Sequence, residues 1–216
     1  MVDLASRPAD AVIMQRWLVL PAVLAACGGS GDAASGDASG GDATTTVDAR
    51  GGVGEPAELA GMTLYHNQVR AMVDTAGLAA GPLPPLAWDA SLAATAAAWV
   101  AQCQDTDGNG LVDHNANRSA GHPWYVGENI FASSGTATAH DAVLYPMYGW
   151  AAEQVHFHYD TNTCDAGATC GHYTQVVWRA TQQVGCALGR CPGLAYPNTI
   201  VCDYGPGGNV NNQKPY

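Results

Sequence analysis

Apolar and polar positions divide the chain into a low-complexity lead, a helical middle and a strand-rich end. In "AELAGMTLYHNQVRAMV", residues 57–73, the apolar positions Leu59, Met62, Tyr65, Val69, Met72 and Val73 fall at helical spacing. "GLAAGPLPPLAWD", residues 77–89, ends that helix with three prolines. Asp89 or Ser91 can cap a second helix, "SLAATAAAWVAQC", built largely on alanine. A third helical stretch is predicted over 140–157, with Pro146 as a kink or boundary. Strand patterns come late, at 173–179, 185–188 and 199–204. Helices followed by clustered strands predict an α+β domain of packed layers.

The lead has two parts. From Met14 the sequence reads "MQRWLVLPAVLAAC": one positive charge, an apolar run over 17–26, then Cys27. That run is too short to cross about 30 Å of hydrocarbon as a helix. It reads as an export signal whose start is Met14, the residues before it being acidic. "LAAC", ending at Cys27, resembles a bacterial lipobox, which implies cleavage before Cys27 and its lipidation. Residues 28–56 are almost entirely Gly, Ala, Ser, Asp and Thr and have little to bury. As a random coil this acidic tether spans roughly 30 Å. The chain thus divides into a lipoprotein-type signal peptide (1–26), a lipidated cysteine with a flexible linker (27–56) and a folded domain (57–216).

Charge and cysteine content narrow the function. The chain of 216 residues carries a formal charge of −11 with only eight Lys and Arg. No basic stripe exists to neutralise phosphates, so nucleic acid is not expected as a partner. Cys103, Cys164, Cys170, Cys186, Cys191 and Cys202 lie beyond the signal. An even set behind an export signal predicts disulfides, and no paired C-x-x-C units argue for zinc knuckles. "CGHYTQVVWRATQQVGC" sets His172 between a cysteine and a strand-like run. It could be a metal ligand, a general base or a satisfied core group.

That segment and "IVCDYGPGGNV" resemble the CAP superfamily: cysteine-rich secretory proteins, antigen 5 and pathogenesis-related class 1 proteins. "HNQVR", "LAWD", "GEN" at 127–129, "WAAE" at 150–153 and the final "KPY" follow in the family's order. The resemblance implies a three-layer α-β-α sandwich and the disulfides Cys103–Cys191, Cys164–Cys170 and Cys186–Cys202. It also implies a cavity tetrad of His114, Glu128, Glu153 and His172, with His122 a rival for the first position because it lies nearer "GEN". His66 belongs to the helix-one signature and reads as a hydrogen-bonded packing residue. His156 and His158 read as a polar helix end.

Two imidazoles and two carboxylates suit zinc, so His114 and His172 are the expected divalent-metal ligands, with Glu128 and Glu153 beside them. An insertion before His114, "DTDGNGLVD", carries a second expectation. Asp105, Asp107, Asn109 and Asp113 fall at loop positions one, three, five and nine of an EF-hand-like loop, Leu111 offers its carbonyl, and Gly110 makes the turn. Calcium is the expected ion, although position twelve is Ala116 rather than glutamate. The leading expectation is an exported binding module, anchored to a membrane through Cys27 at the cell surface or outer membrane, or otherwise secreted. Its partners would be a metal and a small apolar or sterol-like ligand or extracellular protein. The alternatives are a metal-dependent hydrolase using Glu128 or Glu153, for which no H-E-x-x-H motif is present, and an interaction protein whose tetrad is structural.

Overall fold

Glu55 lies just ahead of the first long helix. Its carboxylate accepts from the N–H groups of Gly61 (2.8 Å) and Thr63 (2.7 Å), serving the free amides of α1, Met62–Thr75. The N-cap of that helix is Gly61, which has no side chain for the task. The structure, a computed structural model, describes residues 54–216. The export signal, Cys27 and residues 28–53 of the tether lie outside the described residues.

After α1 come β1 (Ala87–Trp88), α2 (Ala90–Val100), β2 (Gly127–Ser133), α3 (Ala139–Leu144), a 3-10 helix (Trp150–His156), β3 (Phe157–His158), β4 (Thr163–Cys164), α4 (Gly171–Val176), β5 (Gln183–Arg190) and β6 (Asn198–Gly205). Asp89 caps α2 by accepting from Ser91 N–H and Leu92 N–H at 2.8 Å each. The main sheet has the order β1-β5-β6-β2, antiparallel except where β1 runs alongside β5. β3 and β4 form a separate hairpin.

Alternation along β5 and β6 creates two apolar faces. Ala187 and Val201 face Ala96 and Val100 of α2. Val184, Cys186, Ile200, Cys202 and Tyr204 face the other way, onto Met62, Val69 and Val73 of α1, Val143 of α3 and Tyr173 and Val176 of α4. The sheet is therefore the middle layer of a three-layer α-β-α sandwich. Close approach fixes one glycine: a Cβ at Gly185 would collide with the α2 backbone at Asp89 and Ala93. Disulfides link Cys103 to Cys191, Cys164 to Cys170 and Cys186 to Cys202.

Three local readings differ from the sequence pattern. The strand expected over 173–179 is instead the end of a helix, α4, followed by a turn. Its amides at His172 and Tyr173 are taken by the Glu153 carboxylate, a contact from 19 and 20 residues away that outweighs the strand preference of "VVW". The helix expected over 140–157 breaks at Tyr145, ahead of Pro146, and resumes as the 3-10 helix. β2 was not anticipated, because "GENIFAS" is short and only half-apolar; it is the edge strand that carries Glu128.

Candidate functional site

The "HNQVR" motif builds the floor beneath the site. His66, Asn67 and Arg70 point from α1 into the protein. Asn67 exchanges two hydrogen bonds with the Leu86 backbone (3.0 and 2.7 Å). Buried Arg70 donates to the carbonyls of Pro84, Val176, Trp178 and Thr181. His66 Nδ1 lies 2.8 Å from the Met62 carbonyl, which can only accept, so Nδ1 carries the proton. Nε2 then accepts from the Tyr204 hydroxyl at 2.8 Å. Burial lowers the His66 pKa to about 4, partly opposed by the Met62 hydrogen bond, so the ring is neutral. Asn129 Nδ2 completes the network, donating to the Tyr204 hydroxyl and the His172 carbonyl at 3.1 Å each.

Above this floor stand two histidine–glutamate pairs. His114 Nδ1 lies 2.6 Å from Glu128 Oε1, which also accepts from Asn115 N–H at 3.0 Å. His172 Nδ1 lies 2.6 Å from Glu153 Oε1, while Glu153 Oε2 accepts from His172 N–H and Tyr173 N–H at 3.0 Å each. The two arrangements share one logic: each carboxylate holds both the ring and the backbone of its histidine segment. An ionised carboxylate only accepts, so each neutral ring carries its proton on Nδ1 and leaves Nε2 with a free lone pair. Neither Nε2 has a hydrogen-bond partner among the described residues. Trp150 stacks on the His172 ring with centroids 6.3 Å apart.

The pairs differ in exposure and placement. The His114 side chain is 57% exposed over a Glu128 that is 1% exposed, whereas His172 and Glu153 are 28% and 17% exposed. Glu128 and Asn129 are neighbours on β2 and so project to opposite faces of it. Asn129 reaches α4 and Tyr204, and Glu128 lies on the side of its cross-strand partner Asp203. Among the described residues the two pairs do not form a cluster of three or more ligand atoms all within 4.8 Å of one another.

Residues 64–204 match the model of the cysteine-rich secretory protein family, CAP. The chain belongs to the CAP family. Its domain is 35% identical over 158 residues to GLIPR1-like protein 1 of Bos taurus, covering 70% of this chain and 59% of that protein. It is 39% identical over 152 residues to pathogenesis-related protein 1B of Nicotiana tabacum, covering 70% and 76%. The solved structure of venom allergen-like protein 4 of Schistosoma mansoni superposes with a TM-score of 0.58 at 24% identity, over 75% of this chain and 95% of that one, which shows a shared fold.

Among the CAP motifs the structure singles out a further residue, Asp203 of "CDY". Asp203 is fully buried opposite Glu128, and neither of its carboxyl oxygens has a partner. Glu128 Oε2 is likewise buried and unpartnered. One proton pairs two of these three oxygens: a neutral Asp203 donates its O–H to Glu128. Burial, then the Glu128 charge, push the Asp203 pKa up to about 8, with Arg118 pulling the other way. The signal available in the sequence was the acid in "CDY" facing the acid of "GEN" across two strands.

The remaining candidates separate cleanly. His122 bonds to the Thr95 hydroxyl at 3.1 Å, away from Glu128. His156 and His158 share the Asp165 carboxylate at 3.0 and 2.6 Å. In the insertion, Asp105, Asp107 and Asp113 bring one ligand oxygen each to within 4.8 Å of one another. Gly110 takes a positive φ of 83°, and its N–H and that of Asn109 donate to Asp105. Asn109 Oδ1 turns inward to accept from Leu111 N–H, and Leu111 itself is exposed. Asp113 is bonded by Thr106 through both N–H and hydroxyl, which lowers its pKa.

Proposed function

We propose that this CAP domain is an exported binding module that holds a divalent metal ion through Nε2 of His114 and of His172. The observation that carries it is the doubled Nδ1–carboxylate contact at 2.6 Å, which fixes the tautomer that presents Nε2 as a ligand. A divalent ion would supply positive charge that a partner's oxygen or nitrogen could satisfy. Binding is favoured over hydrolysis by how the glutamates are used. Both Glu153 oxygens are engaged, and Glu128 binds His114 through one oxygen and is buried towards Asp203 at the other, so neither acid presents an exposed, unengaged oxygen to a water. The insertion supports a separate calcium site on Asp105, Asp107 and Asp113, whose converging oxygens suit a hard cation. Export accords with three disulfides, which persist in oxidising compartments. Anchoring through a lipidated Cys27 belongs to the same proposal and rests on the lipobox resemblance alone.

Calorimetric titration of the EDTA-stripped domain tests the two sites together. Zinc is expected to bind one site that the His114→Ala/His172→Ala double variant loses, while Asp105→Asn/Asp107→Asn abolishes calcium uptake and leaves zinc intact. Zinc binding of unchanged affinity in the double histidine variant overturns the metal assignment.

A further inference from the structure

A cavity of about 610 Å³ lies between α2 and the segment 102–117; neither histidine of the two pairs lines it, although Asn115 in its wall is the neighbour of His114. Its size is that of a small-ligand site. The chemistry of its wall is unusual for a protein with 19 acidic residues: no charged side chain lines it. Instead it presents one large aromatic surface, Trp99, and four carboxamides, Gln102, Gln104, Asn115 and Asn117.

The wall is held in place. The Trp99 indole N–H donates to the Asp113 carbonyl at 2.7 Å, which sets the ring orientation, and the ring packs on the Ala96–Val100 core beneath it. Among the described residues, no other aromatic ring stacks on it. Gln102 Nε2 donates to the Ala98 carbonyl, and Gln104 Nε2 donates to Gln102 Oε1, each at 3.0 Å. Gln104 Oε1 stays free to accept. Asn115 is only 7% exposed; its Oδ1 accepts from Asn117 N–H at 2.9 Å, and its Nδ2 has no protein acceptor among the described residues. The wall therefore offers a ligand both a carboxamide donor, Asn115 Nδ2, and a carboxamide acceptor, Gln104 Oε1, which suits a group that both accepts and donates.

We infer that this cavity is a binding site for a neutral carbohydrate, with one sugar ring stacked on Trp99 and its hydroxyls paired to the carboxamides. A hydroxyl donates and accepts, as a carboxamide does, and the C–H face of a sugar is the apolar partner an indole surface needs. An ionic ligand would lie against four amides with no counter-charge. A purely apolar ligand would strand those same amides. A peptide that binds by adding a strand needs an unpaired strand edge, and this cavity is walled by a helix and a loop; a proline-rich peptide docks in a groove of several aromatic rings, and Trp99 is the one aromatic side chain lining this cavity.

The test uses the folded domain in EDTA and again with calcium added, because Asp113, whose carbonyl orients Trp99, belongs to the proposed calcium set; sugar binding absent in both conditions fails this inference without touching either metal assignment. Cellotetraose, maltotetraose, mannotetraose and chitotetraose, with a heparin tetrasaccharide and a blocked tetrapeptide for comparison, are titrated by calorimetry and saturation-transfer NMR. At least one neutral tetrasaccharide is expected to bind, with saturation transfer to its ring C–H protons. Trp99→Ala should weaken that binding about tenfold or more, by loss of the stacking surface. Because Trp99 also packs on the core, Ala98→Arg is the second variant: it fills the cavity from an exposed helix position and should block binding while the circular dichroism stays unchanged. No binding by any neutral sugar overturns the inference. So does binding that Ala98→Arg leaves intact, or preferential binding of the heparin fragment or the peptide.

Discussion

Arg70 shows how one side chain can decide whether distant segments stay together. It is 1% exposed, and its guanidinium donates to four carbonyls contributed by the proline-rich loop after α1 and by the turn after α4. Burial lowers its pKa to about 10, still high enough to keep the charge at neutral pH. The fork geometry matters, because a lysine ammonium cannot reach both loops from one position. Arg70→Leu should leave several buried carbonyls without donors and cost on the order of 3 kcal/mol or more in urea unfolding, with Arg70→Lys recovering only a fraction. Equal stability of Arg70→Leu and the parent would show that these carbonyls find water instead. Such residues were legible only as a motif: "HNQVR" marked which side chains matter, but periodicity treats Arg70 as an interruption of the apolar stripe of α1. Its partners lie 14 to 111 residues away, beyond the reach of local pattern.

Elements were legible where local chemistry decides them and obscure where a distant group does. Asp89 announces α2, and the capping bonds to Ser91 and Leu92 are there. β5 and β6 appear where β-branched and apolar residues alternate. α4 is the counter-example, since Tyr173, Val176, Val177 and Trp178 read as a strand while Glu153 supplies the missing cap from another segment. That carboxylate at a helix start both satisfies free amides and sits favourably against the peptide dipoles. Glu153→Ala should therefore cost roughly 1–2 kcal/mol, and hydrogen exchange should quicken at the amides of His172 and Tyr173 before it does in β5. Protection unchanged at both amides would mean that α4 is held by packing alone. The sequence resemblance named four residues, His114, Glu128, Glu153 and His172; that they pair as His114–Glu128 and His172–Glu153, with Glu128 on an unanticipated edge strand, depends on contacts between distant segments.

At the scale of the whole molecule, two buried titrating groups bias stability in opposite directions. His66 has a pKa of about 4 when folded against 6.5 when exposed, so the unfolded chain binds the extra proton between those values. The stabilisation it contributes is present above pH 6.5 and is lost as pH falls towards 4. Asp203 has a pKa of about 8 when folded against 3.8 when exposed, so here the folded chain keeps the proton. Its contribution is present below pH 3.8 and is lost as pH rises through 8. Between pH 4 and 6.5 the two slopes oppose each other, and from these groups stability should be nearly flat. From pH 6.5 to 8 only the Asp203 slope remains, and stability should fall by roughly 2 kcal/mol. Asp203→Asn keeps the shape and a donor for Glu128 but removes the titration. Groups common to both proteins drop out of the difference between their unfolding free energies. Measured in EDTA, that difference should rise in favour of Asp203→Asn from about pH 4 to about pH 8 and level off above it. Parallel pH profiles would mean that Asp203 is already ionised in the folded protein, and the shared proton that pairs two of the three partnerless carboxyl oxygens would have to be abandoned.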